Sequence, residues 1–409
     1  MVVKLMAVLS FQTALFLIIG HVVLGNQLEA ASDAVIKSIQ SEDGDVIDCV
    51  DIYKQPALNH PALRNHKIQM EPSYVPPPTI DQTTRKINRA KGKENKESKW
   101  IKQIWHKNGS CPQGTVPIRR KTQTKDKALP IVSRTNKSSF NLSKHELSQS
   151  NKGLLRPNHA MSFLGAKGEY LGARGDIAVY NPSVERFDEY TLSDISVENG
   201  DDHNFEAVRS GWMVNPTFYG DKQTRLFTYW TADGSQNTGC FDYVCPGFVQ
   251  VNNDIALGAA IEQISKPSYN EPAQVMKVLL YKDLATDHWW VSVDDKNIGY
   301  WPKELFRKLS YEVERVQWGG DVYSTRLETQ PHTATAMGSG AYSSPTDWLT
   351  GSIRRIKVLL NTTVWAFPNY AYTYADQVKC YDFYIQLAAD DPIFYYGGPG
   401  SGGQASKCQ

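Results

Sequence analysis

Closely spaced tryptophans are the residues of this 409-residue chain whose type and spacing first suggest a ligand. Trp289 and Trp290 are adjacent, and Trp301 and Trp318 follow in the same stretch. Because successive side chains of a strand point to opposite faces, one ring of the Trp289–Trp290 pair is expected to point away from the core. With Trp212, the set predicts an aromatic surface for proline rings, sugar rings or apolar side chains. Packing inside a β-sandwich core is the alternative use of these rings.

The first 25 residues predict a secretory signal peptide. Lys4 supplies the positive start, residues 5–19 are apolar, and residues 23–25 offer small side chains for cleavage. Gln12 and Gly20 interrupt the apolar run, which is too short to span a membrane comfortably. The mature protein is therefore expected to be secreted and extracellular, without a membrane partner.

The cysteines of the chain are expected to form disulfides in that oxidising compartment. They are Cys49, Cys111, Cys240, Cys245, Cys380 and Cys408. Six cysteines allow many pairings. Among them, spacing favours a small loop closed by Cys240 and Cys245 and an anchored C-terminus, Cys380 with Cys408, which leaves Cys49 with Cys111. No CxxC pair exists and the histidines are scattered, so we expect no metal and no other cofactor.

Several other chemistries find no support in the sequence. The chain contains neither a GxSxG elbow nor an HExxH motif. A Ser-His-Asp triad stays open, because its members need not be close in sequence. The net charge of +1 offers no field for nucleic acid. We expect a monomer, glycosylated at the sequons of Asn108, Asn136, Asn141 and Asn361.

The elements that must position these residues are short strands. From His159 onward, alternating runs are separated by Gly-, Asn-, Asp- and Pro-rich turns. Examples are DIAVYN (176–181), RLFTYWT (225–231), HWWVSV (288–293) and RRIKVLL (354–360). This pattern predicts an all-β sandwich. One helix is expected at residues 305–316, and the Gly-rich residues 397–403 are expected to form a flexible tail.

The composition divides the chain into four parts. Residues 1–25 are the signal peptide, 26–125 a small pro-domain, 126–157 a polar linker with a processing site, and 158–409 the β-sandwich. Residues 85–127 carry fourteen Lys and Arg against three acids. This basic stretch is either a solvated arm or a segment that pairs with acidic groups of the domain it covers.

Long blocks of the chain resemble the neprosin family of plant glutamic peptidases. The blocks are residues 210–261, HWWVSV (288–293), IGYWP (298–302), VQWGGDV (316–322) and FYYGGPG (394–400). Upstream, QIWHKNGSCPQGTVPIRR (103–120) resembles the end of the family's activation peptide. The resemblance implies a secreted zymogen with its own pro-peptide and a sandwich of two antiparallel sheets. In active members it also implies a prolyl endopeptidase that cuts after proline at acid pH.

The resemblance also places a catalytic pair of glutamates, and this chain departs from it at both positions. In the family pattern, one glutamate precedes a small residue and Gly-Trp, and the other follows Trp-Gly-Gly. The first position is Arg209, before Ser210-Gly211-Trp212, and the second is Asp321, after Trp318-Gly319-Gly320. Glu206 would face the opposite side of the strand and could replace the first glutamate only through a bulge.

Two carboxylates in such a cleft divide the work of peptide hydrolysis. One takes a proton from the attacking water, and the other stays protonated and polarises the carbonyl or donates to the leaving amine. We expect Arg209 to pair with Asp321, which would lower the pKa of that carboxyl group. The guanidinium cannot act as a base, although it could stabilise an oxyanion.

Two hypotheses follow from this altered dyad. The chain is either an endopeptidase that relies on Asp321 with Arg209 as electrophile, or a pseudo-peptidase that binds without cutting. The double substitution favours the second. Under both, the expected partners are proline-containing peptides or proline-rich cell-wall proteins; glycans are a further candidate for the tryptophan surface.

Overall fold

The structure, a computed structural model, describes residues 34–77, 101–120, 156–201, 204–266, 272–311, 313–345, 349–387, 391–403 and 407–408. The predicted signal peptide lies outside the described residues, and the predicted processing linker lies almost entirely outside them. Within the described ranges, no helix has the length and apolar character needed to cross a membrane.

A small three-stranded sheet comes first in the chain. It consists of β1 (Val35–Gln40), β2 (Val46–Asp51) and β3 (Thr115–Arg119), in that spatial order. Four short 3₁₀ helices accompany it, η1 (Ile52–Lys54), η2 (Pro56–Asn59), η3 (Pro61–Leu63) and η4 (Ile104–Asn108). A disulfide between Cys49 and Cys111 joins β2 to the segment before β3. We call residues 34–77 and 101–120 the N-terminal unit.

Two larger antiparallel sheets follow, and the first has seven strands. In spatial order these are β17 (Ala371–Ala375), β4 (His159–Lys167), β14 (Arg315–Tyr323), β6 (Tyr190–Asn199), β7 (Glu206–Val214), β8 (Arg225–Thr231) and β9 (Cys240–Phe241). A single short helix, α1 (Pro216–Tyr219), lies between β7 and β8; the Asn215 side chain caps its start and Gly220, at φ +92°, ends it.

The second large sheet has nine strands. In spatial order these are β10 (Val249–Gln250), β13 (Lys296–Trp301), β12 (His288–Val293), β11 (Val275–Asp283), β5 (Gly172–Ala178), β15 (Gly351–Leu359), β19 (Ile393–Gly397) and β18 (Asp382–Gln386), with β16 (Trp365–Ala366) paired to β15. A 3₁₀ turn, η5 (Lys303–Leu305), follows β13.

The two large sheets pack face to face and share one hydrophobic core. Trp212 of the seven-stranded sheet donates its indole N–H to the carbonyl of Ala178, and Trp318 donates to that of Arg174, both on β5 of the opposite sheet. Between them, Gly175 of β5 leaves room for Trp318 and Ile195, because a Cβ there would lie 3.3 to 3.4 Å from both. The predicted all-β sandwich of two antiparallel sheets, preceded by a small N-terminal domain, is confirmed.

Two local predictions are wrong. Residues 305–316 do not form a helix, since only Lys303–Leu305 is helical and Arg315 already begins β14. The segment turns because the Glu206 carboxylate accepts the backbone N–H groups of Arg307, Lys308 and Leu309. The Gly-rich residues 397–403 do not form a flexible tail. Gly397 lies in β19, and Met337 and Gly398 exchange backbone hydrogen bonds.

Candidate active site

The two residues expected at the catalytic positions, Arg209 and Asp321, share one face of the seven-stranded sheet. Arg209 of β7 lies opposite Ser196 of β6, and Asp321 of β14 lies opposite Leu192 of the same strand. Each lies three positions along its strand from a tryptophan that points into the core, Arg209 from Trp212 and Asp321 from Trp318. Because the separation is odd, their side chains point to the opposite face. Arg209 and Asp321 therefore lie on the outer face of the sandwich, away from the nine-stranded sheet.

A third polar residue, Asp194, lies between them on β6. Its partners in register are Gly211 on one side and Gly319 on the other. A Cβ at Gly211 would stand 2.0 Å from the Ser193 carbonyl oxygen, and one at Gly319 would stand 2.2 Å from that of Ser162. Only glycine fits these two positions, so Asp194 has no side chain beside it in register on either neighbouring strand; we call this strip the glycine trough.

Arg209 binds Asp194 and not Asp321, so the expected pairing is wrong. The Arg209 Nε donates to Asp194 Oδ2 at 2.5 Å. Both carboxylate oxygens of Asp321 lie 3.0 Å from Nδ1 of His159, which belongs to β4. The reason is register, because Arg209 and Asp194 are diagonal neighbours on adjacent strands, whereas strand β6 separates Arg209 from Asp321.

Burial and charge move the pKa values of the two carboxyl groups in opposite directions. Burial raises the pKa of Asp194, and the neighbouring Arg209 offsets this only in part. Burial also acts to raise the pKa of Asp321, but His159 and then Arg209 outweigh it, so the Asp321 pKa lies below its usual value. The side chains are only 6% and 2% exposed, respectively, so neither carboxylate is open to solvent.

A further ion-paired carboxylate lies beyond Arg209 on the same face. Glu198 accepts a hydrogen bond from the Ser196 hydroxyl at 2.6 Å. Its other neighbours are Arg315 at 3.4 Å and Arg156 at 3.7 Å. Burial opposes ionisation of Glu198, yet these arginines lower its pKa. The outer face thus carries three buried acids, each beside at least one cationic or titratable base.

Aromatic rings border the Asp321 end of the site. Tyr190 and Tyr323 stack with their centroids 5.0 Å apart, and the His159 ring lies 5.2 Å from Tyr323. Nε2 of His159 is buried and has no hydrogen-bond partner among the described residues. With Asp321 on Nδ1, His159 is held in one orientation by its neighbours.

Sequence reasoning missed both Asp194 and His159. One signal was available for Asp194, because the run TLSDISVEN (191–199) places Asp194, Ser196 and Glu198 on one face of a strand, alternating with Ile195 and Val197. No comparable pattern marks His159, which meets Asp321 only through the pairing of β4 with β14. Glu206 points to the other face, as expected, and caps the turn after η5.

The predicted aromatic binding surface is not found. Trp212, Trp290, Trp301 and Trp318 are all fully buried. Trp212 and Trp318 lie between the large sheets, and Trp301 packs against Phe248 at 5.0 Å. Both rings of the Trp289–Trp290 pair are covered. The outer ring, Trp290, lies 4.8 Å from the ring of Tyr300. The Tyr300 hydroxyl in turn bonds His66 and the Gln69 N–H of the N-terminal unit, which covers this face.

Two groups of side chains among the described residues have the spacing of metal ligands. In the group of His332, Cys380 and Cys408, the two cysteines are joined in a disulfide and offer no thiolate. In the group of His66, His288 and Glu304, the His288 Nδ1 accepts the backbone N–H of Lys303 at 3.1 Å. That bond leaves the proton of neutral His288 on Nε2, the nitrogen that would have to bind the metal.

All six cysteines and two of the four sequons lie among the described residues. The disulfides are Cys49–Cys111, Cys240–Cys245 and Cys380–Cys408, the pairs that spacing favoured. Asn108 and Asn361 are exposed, whereas Asn136 and Asn141 lie outside the described residues. Glycosylation itself stays a prediction.

Comparison with known families matches the chain in two consecutive parts. The family model described as neprosin matches residues 187–399, just over half of the chain, and that described as the neprosin activation peptide matches residues 38–162. The second match runs from the N-terminal unit into β4 and so includes the predicted linker.

Solved structures give weak matches. Scytalido-glutamic peptidase, in complex with a peptide-based transition-state analogue, is 8% identical over 59% of this chain and 98% of its own, with a TM-score of 0.32. SCP-B, a member of the eqolisin family of peptidases, is 8% identical over 59% and 98% of the two chains, at 0.31. CG-16, a homodimeric agglutinin from chicken liver, is 7% identical over 39% and 93%, at 0.23.

Proposed function

Because the chain belongs to the neprosin family, we propose that it is a secreted pseudo-peptidase, in which buried ion pairs replace the catalytic glutamates of the family. The apolar first 25 residues and the three disulfides support export to an oxidising compartment. The protein keeps the outer face of a peptidase sandwich but does not hydrolyse peptides there.

The single observation that carries this proposal is the bond between Arg209 and Asp194. A carboxylate at position 209 would face Asp194 and Asp321 across the glycine trough and share protons with them. The guanidinium instead neutralises Asp194 and cannot take a proton from water, because it stays charged at every relevant pH. The position of one catalytic group is thus filled by a cation.

Asp321 is a poor base for the attack of water. Both its oxygens already accept from His159, and its pKa is held low, so it has little tendency to remove a proton. General acid–base groups contribute about 10² to 10⁴ each in rate, and they do so best when their pKa lies near the working pH. Because Arg209 cannot act as an acid or a base and Asp321 is a poor base, we expect hydrolysis at this face to be below detection.

The remaining role of the outer face is binding. Gly211 and Gly319 leave Asp194 without a side chain beside it in the glycine trough, and Tyr190 and Tyr323 stack at the Asp321 end of the site. We propose proline-containing peptides or proline-rich wall proteins as ligands, on the basis of the family chemistry alone. Glycans lose their support, because their expected platform of tryptophans is buried.

A weak peptidase is the second candidate, and the opposite pKa shifts of Asp194 and Asp321 favour it. Two carboxyl groups whose surroundings push their pKa values apart are the usual arrangement of an acid and a base. Asp194 would serve as the protonated partner and Asp321 as the base, with Arg209 displaced on binding.

Turnover of a proline-containing fluorogenic peptide by the linker-cleaved protein, from about pH 2.5 to about pH 6, separates the two candidates. The pseudo-peptidase hypothesis predicts no turnover at any pH. Turnover that Asp321→Asn and Asp194→Asn each abolish would establish the weak peptidase. Glu304→Gln, an exposed carboxylate away from the site, is the matched control.

A further inference from the structure

The N-terminal unit is attached to the sandwich through buried polar groups, and no disulfide among the described cysteines joins the two. We propose that the unit stays bound as a permanent non-covalent partner after the linker is cut. The surface that receives it includes Tyr219, Asp221, Arg225 and residues 248–261. It also includes His288 and Tyr300, which contact His66 of the unit. The final protein is then a two-chain complex of unit and sandwich.

The centre of this surface is the guanidinium of Arg225, whose side chain is 0% exposed. Arg225 donates through Nη1 to Asp45 Oδ2 of the unit at 2.5 Å and to the carbonyl of Gly258 at 2.7 Å. Through Nη2 it donates to Asp221 Oδ2 at 2.5 Å. Departure of the unit would remove one of its two counterions and require solvation of a guanidinium that the docked protein buries.

Asp45 also binds an arginine of its own unit, Arg119. Its Oδ1 accepts from Arg119 Nε at 2.8 Å, and Arg119 Nη2 donates to the backbone carbonyl of Tyr219 at 2.8 Å. The Asp45 side chain is 7% exposed. Two arginines from the two sides of the interface therefore share one buried carboxylate, and undocking would break its bond to Arg225 while leaving that to Arg119.

Two glutamines of the unit pair with the backbone of the sandwich as an added strand would. The Gln55 amide accepts the N–H of Gln250 at 2.8 Å and donates to its carbonyl at 3.0 Å. The Gln103 amide accepts the N–H of Ala256 at 2.9 Å and donates to its carbonyl at 2.7 Å. Both side chains are essentially inaccessible, so undocking would leave four buried backbone groups to be solvated.

Apolar contacts and backbone bonds extend the same surface. Trp105 of the unit, 1% exposed, packs in one cluster with Ala256 and Ala259 of the sandwich. Ile104 N–H donates to the carbonyl of Ala260 at 3.1 Å, and Glu262 N–H donates to that of Lys102 at 2.8 Å. The interface thus has an apolar core surrounded by satisfied polar groups, as lasting interfaces do.

The unit forms no direct bond to the ion-paired groups of the outer face. No hydrogen bond or ion pair among the described residues joins it to Asp194, Arg209, His159 or Asp321. On that side it contacts Tyr219 through Arg119. Retention of the unit therefore leaves these ion pairs as they are.

The experiment places a specific protease site in residues 126–150 of the full chain, cuts it, and follows both fragments by size-exclusion chromatography at neutral and mildly acid pH. We expect the fragments to co-elute at micromolar concentration without reductant. Separate elution of a folded sandwich and a free unit would overturn the proposal.

Variants identify the contacts responsible. Asp45→Asn and the double variant Gln55→Ala, Gln103→Ala should each raise the dissociation constant of the cut complex by about tenfold or more. Gln40→Ala and Glu42→Gln, exposed positions of the same unit, are matched controls and should leave it unchanged. Melting of the uncut variants shows whether they fold, and co-elution indistinguishable from wild type in all four variants would refute these contacts as the basis of retention.

Discussion

Two buried arginines on adjacent strands, Arg209 of β7 and Arg225 of β8, have different uses. Arg209 takes its counterion, Asp194, from the neighbouring strand of the same sheet. Arg225 takes Asp45 from a separate unit of the chain, in addition to Asp221 close by. The side-chain chemistry is the same, but one pair lies within a single sheet and the other joins two units. The role of a buried guanidinium therefore depends on whether its carboxylate partner comes from the same sheet or from another unit of the chain.

The two clusters also differ in how they can respond when the arginine is lost. Asp194 already has a raised pKa, so it can take up a proton and become neutral in place. Arg225 is a fully buried cation that binds two acids, Asp45 and Asp221, although Asp45 also pairs with Arg119. Its loss leaves more uncompensated charge. The comparison therefore predicts a graded series of effects.

The largest effect is expected for Arg225→Ala. Breaking a buried ion pair by removing one partner costs about 3–5 kcal/mol, because the other charge stays buried and unpaired. Urea unfolding of the uncut chain measures this loss. Arg186→Ala is the control, since Arg186 and Asp188 are 53% and 58% exposed and such pairs contribute about 0–1 kcal/mol. Equal effects of the two substitutions would remove the basis of the comparison.

An intermediate effect is expected for Arg209→Ala. We expect a loss of about 2 kcal/mol at neutral pH, since Asp194 can escape part of the penalty by protonation. Loss of Arg209 raises the folded-state pKa of Asp194 further, and a raised carboxyl pKa gives stability that is present at low pH and lost as the pH rises through it. The deficit against wild type should therefore shrink in acid. A deficit independent of pH, in unfolding measured across the acid range, would show that Asp194 does not respond as described.

A smaller effect is expected at the interface histidine, His288. Burial lowers its pKa from 6.5 to about 4. As the pH falls, His288 takes up a proton in the unfolded chain before it does so in the folded protein. The free energy of unfolding therefore falls as the pH drops from about 6.5 to about 4. His288→Gln should flatten that part of the unfolding profile. A profile as steep as that of wild type would assign the acid sensitivity to other groups.

The sequence predicted the scaffold better than the site. Strand alternation, turn residues and cysteine spacing are local features, and they sufficed for the sandwich and for three disulfides. The motifs around Gly211 and Gly319 were also local, and they led to Arg209 and Asp321, which lie on one face of one sheet. That these two residues occupy the family's catalytic positions stays a prediction.

What the sequence did not predict depends on register across strands. The partners Asp194 and His159 are fifteen residues or more from the groups they bind, on strands whose alignment no local pattern fixes. The tryptophans were misread for a related reason. Whether the outer ring of Trp289–Trp290 is exposed depends on what covers the sheet, and the cover comes from residues far upstream, around His66.

The most direct test of the pseudo-peptidase hypothesis restores the dyad. The double variant Arg209→Glu, Asp321→Glu returns both glutamates to the trough beside Asp194, and it should hydrolyse a proline-containing peptide at acid pH while the wild-type protein does not. Hydrolysis by the wild-type protein that Asp321→Ala abolishes would contradict the account.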